Sequence, residues 1–195
     1  MRSLKGSITA ENLLTAFRDK THDQLRYTSF ANIAVEEDYI QISKLFNQMA
    51  KAVNEHAKVM ARFLLCSGYK PEEICTLRQR PIYVSNTIAN LDTAAENETN
   101  NATIVYPRYS KIAFDERYME VSVLFSMIVR ADDNFGRLCA NDAMMIRNGT
   151  FFTKTEPQKW VCNRCGFVFN GYKAPELCPL CNMPQGYYQV QCEIS

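Results

Sequence analysis

Residues 160–188, WVCNRCGFVFNGYKAPELCPLCNMPQGYY, decide the fold of the C-terminal part of the chain. They contain two Cys-x-x-Cys pairs, and each pair can wrap a short turn around one side of a tetrahedral metal ion. Gly166 follows the first pair and Asn182 follows the second, and both residue types tolerate the left-handed conformation that such turns need. Four thiolates suit both iron and zinc, so the residues alone leave the metal open. The predicted ligands are Cys162, Cys165, Cys178 and Cys181.

Residues 160–195 are predicted to form a separate small domain, because they are rich in glycine, proline and turn residues and show no helical period. So short a segment does not fold alone without a stabilising cross-link, which a bound metal would supply. The preceding residues 149–159, GTFFTKTEPQK, have the composition of a linker.

Residues 1–148 contain only three glycines and show long helical periods, which predict four amphipathic helices. The first is expected at about 9–37 with Thr9 as its N-cap, and the second at about 38–66. A connection at 67–83 leads to the third helix, which Pro107 should break or kink. The fourth is expected at about 116–147. The predicted fold is an all-α four-helix bundle with a small C-terminal β/turn metal domain.

The composition excludes several classes of function. The 22 Lys and Arg residues balance 21 Asp and Glu residues, and no basic run stands out, so nucleic-acid binding is not expected. No apolar stretch has the length of a membrane span, and no signal-peptide core is evident, so we expect a cytoplasmic protein without a membrane partner. Half of the eight cysteines crowd into the C-terminal module, which indicates a metal site rather than a disulfide framework.

Several motifs resemble those of the rubrerythrin family. They are the two cysteine pairs with their flanking Trp160 and Ala174-Pro175-Glu176-Leu177, the linker NGTFFTKTEPQKW, the start SLKGSITAENLLTAF, the pair Arg26-Tyr27 and the tetrapeptide EHAK at 55–58. The resemblance covers essentially the whole chain. It implies a ferritin-like diiron bundle joined to a rubredoxin-like iron domain, a homodimer, and peroxide reduction with electrons from NAD(P)H through a separate reductase.

The resemblance also gives seven positions at which the family's diiron ligands fall, and most of them carry unsuitable side chains. A diiron carboxylate bundle needs a glutamate from each of two helices and a Glu-x-x-His pair from each of the other two. Only His56 and Glu98 match this pattern, and Asp132 is a shortened carboxylate. The seven positions are Lys20, Val53, His56, Glu98, Asn101, Asp132 and Phe135. No complete diiron centre is therefore expected.

We interpret these substitutions as a polar cluster that has replaced the metals. In this hypothesis Lys20 pairs with Glu98 and Asp132, which makes burial of the two carboxylates tolerable. Val53 and Phe135 would fill the space left by ligands and metals, and His56 would be a relic. A mononuclear site formed by His56, Glu98 and Asp132 is the alternative.

The remaining candidates are expected to have structural roles. His22 is predicted to lie on the surface of the first helix, because it is turned away from the inward face of that helix. Asp23 is predicted to be a solvated carboxylate on the same helix. Tyr27 matches a tyrosine that lines the family's metal pocket and is expected only to pack. Three further thiols are predicted to be small buried apolar groups: Cys66, Cys75 and Cys139.

Two functions of different class follow. The first is a redox module, in which one iron held by the four cysteines transfers one electron while the bundle serves as a dimerisation scaffold. The second is an oxidoreductase, a peroxide reductase that uses a remodelled metal site in the bundle. Zinc in the four-cysteine site would make the protein non-redox. The replaced ligands predict that a diiron enzyme activity is impaired or absent.

Overall fold

The computed structural model describes residues 3–75 and 81–191, and it confirms a helical bundle followed by a small sheet. In chain order the elements are α1 (Ile8–Glu36), α2 (Ile40–Cys66), the short α3 (Pro71–Ile74), α4 (Thr87–Asn100), a π-helical segment (Asn101–Val105), α5 (Tyr106–Asp115), α6 (Met119–Arg147), β1 (Thr153–Cys162), β2 (Val168–Lys173), a 3-10 turn (Gln185–Tyr187) and β3 (Tyr188–Val190). Among the described helices none is both long and apolar enough to cross a membrane.

The first helix begins at Ile8, so the predicted N-cap at Thr9 is wrong. The cap is Ser7, whose side-chain oxygen accepts a hydrogen bond from the backbone N–H of Ala10. The Thr9 hydroxyl instead donates to Glu116 at 2.6 Å, and the Thr9 backbone N–H donates to the same carboxylate at 2.8 Å. This contact ties the start of α1 to the turn before α6.

The third predicted helix changes its hydrogen-bonding pattern instead of ending. A π-helical segment lies between α4 and α5, and Pro107 falls in the first turn of α5 directly after it. Proline has no N–H to give to the preceding turn, and the wider π turn accommodates that loss while the chain stays helical. Asn101, one of the seven family ligand positions, is the first residue of this segment and is half-buried.

Two apolar clusters fill the bundle, one toward each end. The first contains Phe30 of α1 and Phe46 of α2, and the second contains Leu13 of α1 and Phe125 of α6. On the long helices the polar positions of interest fall between these clusters: Lys20, His56, Glu98 and Asp132. The fold therefore places these side chains at one level, midway along the bundle.

The C-terminal domain is a three-stranded antiparallel sheet in the order β2-β1-β3. Strand β1 begins at Thr153, inside the stretch predicted as linker, and the sheet core contains Trp160 and Tyr188. Trp160 lies opposite Phe169 of β2 and Val190 of β3. The stretch between bundle and metal domain is thus mostly the first strand of the sheet.

The sheet domain packs against the turn between α1 and α2 of the same chain. The ring of Tyr39 stacks on Phe152 with centroids 6.1 Å apart and meets Phe151 edge-on at 6.0 Å. Gly186 approaches the turn so closely that an added Cβ would lie 1.4 Å from the carbonyl oxygen of Asp38. No side chain fits at Gly186 while this contact is kept.

Candidate metal centre and buried polar cluster

The structure brings the four predicted cysteines together. The Sγ atoms of Cys162 and Cys181 are 3.7 Å apart, and those of Cys165 and Cys178 are 3.6 Å apart. Thiolates about 2.3 Å from a tetrahedrally coordinated ion lie about 3.8 Å from one another. Within residues 3–75 and 81–191, these four are the one group of three or more His, Cys, Asp or Glu side chains whose donor atoms all lie within 4.8 Å. The sulfur positions fit one tetrahedral ion.

Two equivalent turns present the sulfurs. Gly166 and Asn182 both adopt the left-handed conformation, with φ of +77° and +58°, as the sequence predicted. The Gly166 N–H donates to the carbonyl of Cys162 at 2.9 Å, and the Asn182 N–H donates to the carbonyl of Cys178 at 2.8 Å. Backbone N–H groups of Phe167 and Met183 also reach the sulfurs of the second cysteine in each pair. These donors stabilise negative charge on the thiolates.

The metal position is shielded on one side and reachable on the other. Cys162 and Cys178 are buried in the sheet core, whereas Cys165 is exposed and Cys181 is half-buried. Electron exchange with an external partner requires such a short path to the surface, because a metal enclosed on every side is isolated. The donor set suits one iron or one zinc ion.

A second group of polar side chains lies at the middle of the bundle. The ammonium nitrogen of Lys20 is 2.7 Å from Oδ2 of Asp132 and 3.5 Å from Oε2 of Glu98. All three side chains have no exposed surface. The three family positions thus form a direct hydrogen-bonded contact, which we call the lysine cluster.

Two tyrosines complete the lysine cluster. The hydroxyl of Tyr27 donates a short hydrogen bond to Oε1 of Glu98 and accepts one from Asn97 at 3.1 Å. The ring of Tyr106 lies with its centroid 5.3 Å from the Lys20 ammonium, within the range of a cation–π contact. The prediction that Tyr27 only packs is therefore wrong. Tyr106 was missed because the π-helical segment shifts the helical period between it and Glu98.

The charges in the lysine cluster depend on one another. Burial alone would lower the pKa of Lys20, but the oxygens of Tyr106, Glu98 and Asp132 raise it, so the amine is held as an ammonium. The pKa of Asp132 is raised to about 8, chiefly by burial and also by the nearby Glu98, although Lys20 opposes the change. One ammonium can balance one carboxylate, which favours a protonated form for the other acid.

His56 faces this cluster as a neutral ring. The pKa of His56 is lowered to about 4, chiefly by burial and also by the positive charge of Lys20, while Glu98 opposes both effects. The Nδ1 atom of His56 is buried and has no hydrogen-bond partner, and the same is true of Oδ1 of Asp132. Val53 and Phe135 are buried in the adjoining apolar cluster. Of the seven family ligand positions, five are buried, three with ionic and two with apolar side chains, whereas His56 and Asn101 are half-buried.

Several other predictions were wrong because they ignored tertiary contacts. His22 is buried with Nδ1 3.4 Å from Arg26. Asp23 is also buried, lies 3.3 Å from Arg26 and accepts a hydrogen bond from Asn97 at 3.3 Å. Burial is the main reason that the pKa of Asp23 is raised. The spacing of Arg26 from both residues could have indicated these pairs.

Four cysteines lie outside the metal-binding group, and the three of them among the described residues divide differently from the prediction. Cys66, at the end of α2, and Cys75, directly after α3, are exposed, so they are not the buried apolar groups that the sequence suggested. Cys139 is buried as predicted, with its sulfur 3.5 Å from that of Met49. Burial raises the pKa of the Cys139 thiol.

The fold and the two sites define the class of protein: a ferritin-like helical bundle joined to a rubredoxin-like four-cysteine domain. The family model described as Rubrerythrin matches residues 11–137, and the model described as the rubredoxin-like domain of rubrerythrin matches residues 160–189. The chain belongs to the rubrerythrin family.

Curated relatives and solved structures agree with this assignment. A rubrerythrin from Clostridium perfringens is 36% identical over 97% of both chains, and one from Nitratidesulfovibrio vulgaris is 34% identical over 97% of both. Partially reduced nigerythrin superposes with a TM-score of 0.64 at 22% identity, covering 97% of this chain and 92% of that one. Symerythrin from Cyanophora paradoxa gives 0.63 at 18% identity, covering 75% and 89%. These two structural matches establish the fold.

Proposed function

We propose that the chain is a one-electron redox protein whose active metal is a single iron held by Cys162, Cys165, Cys178 and Cys181. The sulfur separations of 3.6 and 3.7 Å support this, because they suit one tetrahedral ion. When bound, iron in four thiolates supplies reversible one-electron chemistry. The half-exposed Cys165–Cys181 side of the site would face the electron partner.

We further propose that the bundle holds the lysine cluster in place of a diiron centre. The observation that carries this proposal is the contact of 2.7 Å between the buried ammonium of Lys20 and Asp132. Two iron ions at this level would face an ammonium group instead of a glutamate, and a unit-charge repulsion at about 4 Å is about 4 kcal/mol at an intermediate effective dielectric. Val53 and Phe135 offer no donor atom to a metal. The residues present do not fit a family-type diiron centre.

Metal analysis of protein produced anaerobically in iron-rich medium tests both statements. We expect one iron per chain and a red colour that dithionite bleaches. About three irons per chain would contradict the lysine cluster, and zinc alone would contradict the redox function.

A variant that restores the family pattern is a matched gain-of-function control. It should bind two additional irons, because the ammonium is removed and the missing donors return. The five substitutions are Lys20→Glu, Val53→Glu, Asn101→Glu, Asp132→Glu and Phe135→His. If this variant and the natural chain bound the same amount of iron, the replaced residues would not be the reason for the natural metal content.

A peroxide reductase with a remodelled mononuclear site is the second candidate. It is favoured by the two buried atoms without partners, Nδ1 of His56 and Oδ1 of Asp132, which a metal ion could satisfy. In their present positions the donor atoms of His56, Glu98 and Asp132 do not form a group within 4.8 Å, so the side chains would have to move. Turnover of NADH and peroxide with a reductase, abolished by His56→Ala, would establish this alternative.

The family also suggests a homodimer and a separate reductase as electron donor, and we extend these as proposals to this chain, together with the cytoplasmic location expected from the sequence. Outside the four-cysteine site, the described cysteines Cys66, Cys75 and Cys139 form no disulfide, which agrees with a reducing compartment. Sedimentation analysis tests the dimer, and reduction of the iron by NADH with a reductase tests the partner.

A further inference from the structure

Lys44 joins the bundle to the four-cysteine domain. It lies in the second turn of α2, and its ammonium group donates hydrogen bonds to Oδ1 of Asn163 and, at 3.1 Å, to Oε1 of Gln189. Asn163 follows Cys162 directly in the first metal-binding turn. Gln189 lies in β3, where the preceding Tyr188 pairs with Cys162. Both acceptors therefore flank one cysteine of the metal centre.

The positive charge of Lys44 is not neutralised locally. Among residues 3–75 and 81–191, no carboxylate lies within 4.0 Å of its ammonium nitrogen, and both of its bonded partners are uncharged amide oxygens. Within residues 160–191 the acidic side chain is Glu176, which pairs with Lys173 at 3.3 Å. Lys44 thus brings an uncompensated charge from the bundle to the first of the two turns.

The contact between the domains holds this charge in place. Gly186 meets the carbonyl of Asp38, where an added Cβ would lie 1.4 Å from the oxygen, and the ring of the adjacent Tyr39 stacks on Phe152, directly before β1, with centroids 6.1 Å apart. Asp38 is in the turn that precedes α2 by one residue, so the same contact sets the distance between Lys44 and Asn163. The position of the ammonium is consequently a property of the fold rather than of a free surface side chain.

From this arrangement we propose that Lys44 raises the reduction potential of the iron held by the four cysteines. The inference rests on the proposed redox function. Ferric iron with four thiolates carries a net charge of −1, and it becomes −2 when it accepts one electron from a donor such as a reduced flavin. No bond forms or breaks, and no proton is transferred. A nearby positive charge stabilises the more negative, reduced state. Lys44 is a positioning residue that acts through charge and is not a ligand.

The test measures the midpoint potential of the full chain reconstituted with iron, by spectroelectrochemical titration at low ionic strength. Lys44→Gln should lower the potential, Lys44→Glu should lower it about twice as far, and Lys44→Arg should leave it unchanged. Added salt should shrink these shifts, because Lys44 is exposed. The matched control is Lys51→Gln, on the same helix and about 10 Å further along it; its potential should equal that of the natural chain.

A second, independent perturbation removes the charge by separating the domains. Gly186→Ala cannot keep the contact with Asp38, so it should lower the potential as Lys44→Gln does, and the double variant should fall no further than either single one. NMR of the zinc-loaded protein gives a readout without redox chemistry. The side-chain amide of Asn163 should shift in Lys44→Gln and in Gly186→Ala but not in Lys51→Gln.

The results separate this inference from the proposed function. Zinc in the isolated protein would contradict the proposed function, while the reconstituted iron form would still report on Lys44. Equal potentials for the natural chain, Lys44→Gln and Lys44→Glu would overturn the inference. It would also be overturned if Lys44→Arg fell as far as Lys44→Gln, or if the two single shifts added in the double variant.

Discussion

Replacement of Lys20 by methionine is the sharpest test of the lysine cluster. Methionine keeps most of the length and apolar volume of lysine but removes the ammonium that lies 2.7 Å from Asp132 and 3.5 Å from Glu98. Two fully buried acids would then face each other without a cation. We expect the variant to fold with lower stability, because an acid in this environment must be either protonated or left as an uncompensated charge.

The size of the effect follows from the geometry. Removing one partner of a buried ion pair destabilises a protein by about 3–5 kcal/mol, which for a chain of this length lowers the melting temperature by about 6–20 °C. Burial already raises the pKa of Asp132 to about 8 from an ordinary 3.8. A carboxyl whose pKa is raised in the folded state contributes stability that is lost as the pH rises through that value. Lys20→Met removes the cation that opposes this rise, so the folded variant should keep losing stability above pH 8, where the natural chain no longer does. The loss of stability in Lys20→Met should therefore be larger at pH 9 than at pH 6.

Urea unfolding followed by far-UV circular dichroism measures the free energy of unfolding. The control removes all three charges together, through Lys20→Met, Glu98→Gln and Asp132→Asn, and it should recover much of the stability because no charge is left buried. A loss below about 1 kcal/mol in Lys20→Met, or a triple variant as unstable as the single one, would refute the account of the lysine cluster.

Three further predictions concern other parts of the chain. The NMR titration of His56 should show a neutral ring down to about pH 4, and Lys20→Met should move its pKa toward the ordinary 6.5 by removing a nearby positive charge. Since the folded pKa is the lower one, His56 costs stability as the pH falls from 6.5 toward 4, and His56→Leu should flatten that loss; an unchanged acid limb would contradict the buried neutral ring. Removal of the metal by a chelator should unfold the small sheet, seen as a red shift of the fluorescence of buried Trp160, while the helical circular dichroism persists. In the metal-loaded native protein, a thiol reagent should modify the exposed Cys66 and Cys75 quickly and spare the buried Cys139 until the protein unfolds.

The metal domain could be predicted from sequence because its chemistry is local. Two cysteines separated by two residues, followed by Gly166 or Asn182, contain nearly all the information that their turn needs, and both turns formed as expected. The four helices could also be predicted from sequence, since the helical period is a property of each segment. Their ends were less predictable: the N-cap is Ser7, whose side chain accepts from the Ala10 N–H, while Thr9 donates to Glu116, more than a hundred residues away.

Predicting the lysine cluster required both the sequence and the tertiary structure. The resemblance to a family assigned seven positions, and the change of side chains at those positions indicated that Lys20 should pair with Glu98 and Asp132. Sequence could not show that Tyr27 donates to Glu98 or that Tyr106 lies against the ammonium. Both contacts depend on how the helices are rotated about their axes and on the π-helical segment. No local sequence pattern indicated that segment.

By itself, then, the sequence determined which side chains are available: four thiolates at metal-binding spacing, and a lysine, a valine and a phenylalanine where the family has metal ligands. Tertiary structure alone decided which surfaces meet. It buried His22 and Asp23, placed Asn97 of α4 against Asp23, exposed Cys66 and Cys75, and brought Lys44 beside the first cysteine turn. The reason is physical: ligand spacing and helical period act over a few residues, whereas burial, pKa and inter-domain charge depend on segments that are distant in the chain and adjacent in space.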